Sequence, residues 1–136
     1  MSKIKLHHIG YVVNSIEEAI IELQTLNYKA VTTPPVNDEI QRCRICFVER
    51  ENEPLIELVE PFENNKSLHK MLTQRGNAPY HMCYEVEDVE ALFDELSDKE
   101  GWMPLFRPVE AAAFDNRLIM YFYNSKLGYI EFVNKE

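Results

Sequence analysis

His8-Ile9-Gly10-Tyr11-Val12-Val13-Asn14-Ser15-Ile16 returns in the second half of the chain, position for position, as His81-Met82-Cys83-Tyr84-Glu85-Val86-Glu87-Asp88-Val89. The apolar positions that follow return with it at the same offset: Ile16, Ala19, Ile20 and Leu23 correspond to Val89, Leu92, Phe93 and Leu96. Both sets read i, i+3, i+4, i+7, the stripe of an amphipathic helix. Further on, each copy holds an apolar strand with a single acid inside it, Leu55-Ile56-Glu57-Leu58-Val59 and Tyr129-Ile130-Glu131-Phe132-Val133, so that Glu57 corresponds to Glu131 at almost the same offset. Each half therefore supplies one histidine and one glutamate. Two copies of one supersecondary unit, paired by a pseudo-twofold axis, would carry all four to one place as a candidate metal site.

The rest of each half fits a strand, a helix and three more strands. Residues 5–13 read as an apolar strand, and Asn14 with Glu17 resembles a capping box that opens a helix reaching Leu26. Tyr28 to Thr33 predicts a second strand stopped by Pro34-Pro35, followed by strands at 42–49 and 54–60. The second half runs through a strand at 80–86, a helix at 88–99, and strands near 103–107, 117–123 and 128–133. Between the halves, Pro61 to Pro79 holds a short helix with Ser67 as N-cap and Gly76 as C-cap. The expected organisation is one domain, residues 1–136, with module one at about 5–60, a connector at about 61–79 and module two at about 80–136.

Composition narrows the function classes. A chain of 136 residues is long enough to fold around its own core, so a metal would serve chemistry rather than folding. With 46% hydrophobic and 27% charged residues and no membrane-length apolar run, it reads as a globular protein of the cytoplasm, without a membrane partner. A net charge of −9, with no Lys/Arg cluster to offset it, excludes nucleic acid as a partner. Cys43, Cys46 and Cys83 form an odd set that fits reduced thiols. Cys43-x-x-Cys46 is half a zinc motif, and on a strand its two thiols point to opposite faces.

Strand parity decides where the repeated residues point. In the first strand Ile9, Tyr11 and Val13 are the bulky set that the helix covers, which leaves His8 on the other, concave face. By the same argument Met82, Tyr84 and Val86 turn to the second helix and His81 away from it. Ile56 and Leu58, and Ile130 and Phe132, take the helix side, so Glu57 and Glu131 face inward with the histidines. A carboxylate inside an apolar strand is costly to bury without a cation or hydrogen-bond donors. Two histidines and two glutamates suit a divalent first-row ion of borderline hardness, such as Ni, Co, Zn, Mn or Fe, with two positions left for water or two substrate oxygens.

On Leu6-His7-His8-Ile9-Gly10, Ile56-Glu57-Leu58-Val59-Glu60-Pro61, Tyr80-His81-Met82-Cys83-Tyr84-Glu85-Val86-Glu87-Asp88 and Gly128-Tyr129-Ile130-Glu131, the chain resembles the vicinal oxygen chelate superfamily over nearly its whole length. It is most similar to the branch holding methylmalonyl-CoA epimerases and bacterial glyoxalase I. The resemblance implies an α+β fold of two paired βαβββ modules forming an open, partly closed barrel, with His8, Glu57, His81 and Glu131 as metal ligands. It also implies a metal-dependent lyase or isomerase that removes a proton beside the carbonyl of a hemithioacetal or acyl thioester, through an enediolate or enolate that the metal stabilises. Glu131 is then the acid/base, with Glu57 as a second base.

The finer features divide. Glu60-Pro61 and His81-x-Cys83-Tyr84-Glu85-Val86 look epimerase-like, and the glyoxalase segment that holds glutathione after the fourth strand is absent from the sequence. Some epimerases carry a base on the third strand, where this chain has Ile45; Glu39 could replace it only if its loop folded over the site. Asn116-Arg117 matches an epimerase-like pair, and Arg117 could hold a substrate carboxylate or phosphate. Tyr121 and Phe106 could line an acyl pocket. His7, His69 and Trp102 read as surface or packing residues. The partners implied are a small molecule, either a thiol adduct or an acyl-CoA, and a second copy of the chain in a homodimer. Two other classes stay open: a non-enzymatic binding protein of the resistance type, which would lack the ligands, and an Fe(II) extradiol dioxygenase, which needs two histidines and one carboxylate.

Overall fold

The computed structural model describes residues 3–136. Three α-helices and ten strands lie among them, and the strands make a mixed sheet that does not close. The chain divides into two compact units, one of His8–Tyr80 and one of His81–Glu136 together with the segment ending at His7.

In the first unit, β1 (Lys5–Val12) leads into α1 (Ile16–Thr25), followed by β2 (Lys29–Ala30), β3 (Val36–Asp38), β4 (Cys43–Glu49), β5 (Leu55–Pro61) and α2 (Lys66–Arg75). Its strands are ordered β2-β4-β5-β1, with β3 also on β4. β5 lies parallel to β1 and antiparallel to β4. The core is the layer between α1 and the sheet: Val13, Ile16, Tyr28, Cys46, Val48, Ile56 and Leu58 are buried there, with Tyr11, Ala19, Ile20 and Leu23 packed against them. Of the residues that parity assigned to the helix side, Tyr11, Val13, Ile56 and Leu58 are here, and Ile9 is not in the cluster. Cys46 lies in this layer, while Cys43 precedes it by three positions on the same strand, with its side chain on the opposite face.

The second unit repeats the plan. β6 (Ala78–Val86) leads into α3 (Val89–Ser97), then β7 (Trp102–Pro104), β8 (Val109–Ala111), a 3₁₀ turn at Ala112–Phe114, β9 (Arg117–Asn124) and β10 (Gly128–Asn134). The order is β6-β10-β9-β7, with β8 also on β9. β10 is parallel to β6 and antiparallel to β9. Val86, Val89, Phe93, Leu96, Met120, Phe122, Ile130 and Phe132 form the core against α3, and Trp102 and Tyr84 pack on it.

Helix starts and strand lengths depart from the sequence reading. Ser15, not Asn14, caps α1: its extended backbone lets Oγ accept from the Glu18 N–H at 3.2 Å. Glu17 does not reach back in a capping box, because its carboxylate is drawn 2.8 Å from Arg44. Asn65, not Ser67, caps α2, accepting from the Leu68 N–H at 3.2 Å while its Nδ2 donates to the carbonyls of Gln41 and Arg42. Gly76 ends that helix as expected, at φ 76°. The strand expected over 28–33 shortens to Lys29–Ala30, and Thr32 instead uses its Oγ1 to accept the Phe47 N–H. The short strands β3 and β8 are additions to the expected plan.

Candidate metal centre

In the first unit, the parallel register of β1 and β5 sets Gly10 beside Glu57 and His8 beside Leu55. Side chains two apart on β1 share a face, so His8 projects on the side to which Glu57 points. The His8 Nε2 lies 3.3 Å from the Glu57 Oε1, and both side chains are withdrawn from solvent, at 0% and 3% exposure. On the neighbouring strand Phe47 stands directly opposite Glu57. Its ring meets the His8 imidazole edge to face, with centroids 5.3 Å apart.

The second unit repeats this arrangement. Glu131 is registered with Cys83 on β6 and with Tyr121 on β9, and His81 lies two positions before Cys83. The His81 Nε2 is 3.0 Å from the Glu131 Oε1, again with both side chains buried. Tyr121 holds the position that Phe47 holds in the first unit, with its ring 5.2 Å from that of His81. Its hydroxyl lies 3.3 Å from the His81 Nε2, and Phe106 packs on its ring.

An ionised carboxylate in such a setting needs a positive neighbour, and in each pair the imidazole supplies one only if it carries a proton. A divalent cation does the same for both partners at once, leaving the imidazole neutral and the carboxylate ionised. His8, Glu57, His81 and Glu131 are thus a buried set of the donor types that could hold a metal ion. On donor chemistry the residues fit.

The other residues singled out from the sequence fall in varied places. Arg117 donates to the Glu85 Oε2 at 3.3 Å and to the Asn134 carbonyl at 2.9 Å, and its guanidinium lies over the Phe114 ring. Asn116 is an exposed turn residue at φ 66° whose N–H bonds the Ala111 carbonyl. Ile45 is buried, and Glu39 sits exposed in the turn after β3. His69 bonds the Phe62 carbonyl through Nε2, His7 packs on Phe114, and Trp102 packs on Phe122 and Phe132. Burial pushes the Cys46 thiol up, away from thiolate formation. Phe47 escaped the sequence reading, which named Tyr121 only as lining an acyl pocket, although the two rings stand in the same repeat relation as the two glutamates.

No curated protein matches the chain. Solved structures do. The hypothetical protein BH1468 from Bacillus halodurans C-125 is 25% identical, with a TM-score of 0.83 over 98% of this chain and 96% of its own. Methylmalonyl-CoA epimerase from Mycobacterium tuberculosis is 20% identical, with a TM-score of 0.84 over 97% of this chain and 88% of its own. A methylmalonyl-CoA epimerase variant from Streptomyces coelicolor, in complex with 2-nitronate-propionyl-CoA, is 16% identical, with a TM-score of 0.83 over 96% of this chain and 94% of its own. The mixed open sheet with its three helices is therefore the α+β glyoxalase-like fold. Residues 7–121 match the sequence model of the Glyoxalase/Bleomycin resistance protein/Dioxygenase superfamily, and the chain belongs to that superfamily.

Proposed function

We propose that the two His–Glu pairs hold one divalent cation, and that the protein is a lyase or isomerase that removes a proton from the carbon beside the carbonyl of an acyl thioester or a hemithioacetal. The observation that carries this reading is the buried imidazole–carboxylate pair, repeated at matching register positions in both units. Burial of two carboxylates is expensive, and a fold that needed only packing would place apolar residues there. A bound cation would supply positive charge for the oxygens on which charge gathers as the proton leaves.

Glu131 takes the proton and returns it, either to the adjacent carbon or to the other face of the same carbon. Its burial keeps water from competing for that proton. Glu57 is the second base if the reaction inverts a centre, since the buried residues of β4 on that face are Cys43, Ile45 and Phe47, and the one acid there, Glu49, is exposed at the strand's end. The superfamily and the fold shared with methylmalonyl-CoA epimerases support acyl-CoA as the substrate class. We further propose a homodimer in the cytoplasm; a monomer in light scattering at micromolar concentration would count against the first part.

The test begins with metal analysis of protein purified without added metal. Assays with methylmalonyl-CoA, and with methylglyoxal plus several thiols, then follow on the loaded protein. Turnover of neither class by metal-loaded protein would remove the proposed reaction.

A further inference from the structure

The two units match at the candidate centre down to a single atom. Phe47 faces Glu57 across β4 and β5, and Tyr121 faces Glu131 across β9 and β10. Each ring stands edge to face on its histidine, at 5.3 Å and 71° in the first unit and at 5.2 Å and 77° in the second. What distinguishes them is the Tyr121 hydroxyl. Packing does not require it, because phenylalanine fills the same place in the first unit. A buried hydroxyl is costly unless it is hydrogen-bonded.

We propose that the Tyr121 hydroxyl is a hydrogen-bond donor to the substrate oxygen that gains charge, and that it thereby makes Glu131, rather than Glu57, the base of the site. The hydroxyl lies 3.3 Å from the His81 Nε2, a slack bond to the same nitrogen that faces Glu131 at 3.0 Å. An imidazole nitrogen has one in-plane lone pair or one proton, so it cannot serve a phenol and a cation together. With a cation on that nitrogen the O–H turns to another acceptor. An oxygen acquiring negative charge is the strongest acceptor a substrate can bring. The first unit offers a ring C–H at the matching place. A substrate therefore sits with its charging oxygen toward Tyr121 and its departing proton toward Glu131.

This rests on the reading that the four residues hold one cation and that a proton leaves beside a carbonyl, so the test has readouts that do not need turnover. Wild type and Tyr121→Phe are loaded with Zn²⁺, Co²⁺ or Ni²⁺ and titrated with acetohydroxamate, an anion with two neighbouring oxygens. Tyr121→Phe is expected to retain the metal and to bind acetohydroxamate about ten- to a hundredfold more weakly. Equal affinity overturns the proposal. Metal loading of wild type should also change the near-ultraviolet tyrosine signal, a change that Tyr121→Phe loses; no change in wild type overturns the proposal without recourse to the variant. Where wild type turns over a thioester, kcat should fall by about the same factor with little change in KM. An inactive wild type whose acetohydroxamate binding still depends on Tyr121 would remove the proposed reaction and leave the donor role standing.

Discussion

Glu60, at the far end of the first unit's last long strand, fixes the start of that unit's helix: its Oε1 accepts the backbone N–H of Ile16 at 2.9 Å. In the second unit Asn134 Oδ1 accepts the N–H of Val89 at 2.8 Å, at the corresponding place. An arginine attends each cap. Arg44 donates to both Glu60 oxygens at 3.2 Å, and Arg117, its counterpart in the repeat, donates to the carbonyl of Asn134. Helix and last strand are thus locked in both units by one device, with a carboxylate in one copy and an amide in the other.

Removing these arginines should therefore cost stability. Arg117→Ala loses an ion pair and a bond to a carbonyl from a largely buried guanidinium, for about 1–2 kcal/mol. Arg44→Ala, which removes a side chain 30% exposed, should cost about 1 kcal/mol or less. Urea unfolding measures both. An Arg117→Ala protein as stable as wild type would free that arginine for a role at the substrate.

Acid should weaken the Arg44 network before it reaches the core. The hydrogen bond from Arg44 holds the Glu17 carboxyl below the usual carboxylate range. A carboxyl with a depressed folded-state pKa adds stability that is present in full above its unfolded value and is lost as the pH falls through the folded one. Wild type should exceed Glu17→Gln in stability at neutral pH, and the gap should close on acidification below the ordinary carboxylate range. Urea midpoints that stay parallel from neutral pH down to pH about 3 would show that Glu17 contributes nothing by its charge.

The two adjacent histidines of β1 should behave differently. His8→Ala removes a donor facing Glu57, and metal affinity should drop roughly a hundredfold, about a quarter share of the ~10 kcal/mol that a four-ligand site supplies. His7→Ala trims a ring that packs on Phe114 and should leave metal affinity unchanged. Titration calorimetry with the metal alone decides it, and equal losses would place the centre elsewhere.

Glu131→Gln should keep part of the metal affinity, since an amide oxygen still coordinates, and lose about 10² to 10⁴ in kcat, the usual worth of a positioned acid/base. Glu57→Gln should cost less if Glu57 only holds the ion, and as much if the reaction uses two bases. Deuterium exchange at the substrate carbon separates the two cases, because a single base exchanges without inverting. Parent-level turnover by metal-loaded Glu131→Gln would exclude Glu131 as the base.

Alternation along short strands was enough to orient His8, Glu57, His81 and Glu131, because a pleated strand gives each residue only two directions and the helix stripe claims one of them. The repeat gave the rest of the pattern, since a signal weak in one copy is strong in two. What stayed illegible depends on partners far away in sequence. Ser15 and Asn14 are equally good caps in isolation, and the backbone angles of the turn choose between them. Asn65 wins over Ser67 because its amide also answers the carbonyls of Gln41 and Arg42, which belong to a turn well before it in the chain. Arg117 read as an open cation because Glu85 and the Asn134 carbonyl are neighbours only in three dimensions. Strand edges such as β3 and β8 carry too few residues for periodicity to register.

The bonds that cap α1 and α3 have a consequence for how the chain can be cut. Ser15 and Glu60 both precede the connector helix, and Asp88 and Asn134 both follow it. A nick at Gly76, the residue that ends α2, would sever no capping bond of α1 or α3 and would leave each fragment one intact histidine–glutamate pair. That peptide bond is the natural seam for a split-protein reporter, in which metal uptake would register whether the two pieces have met.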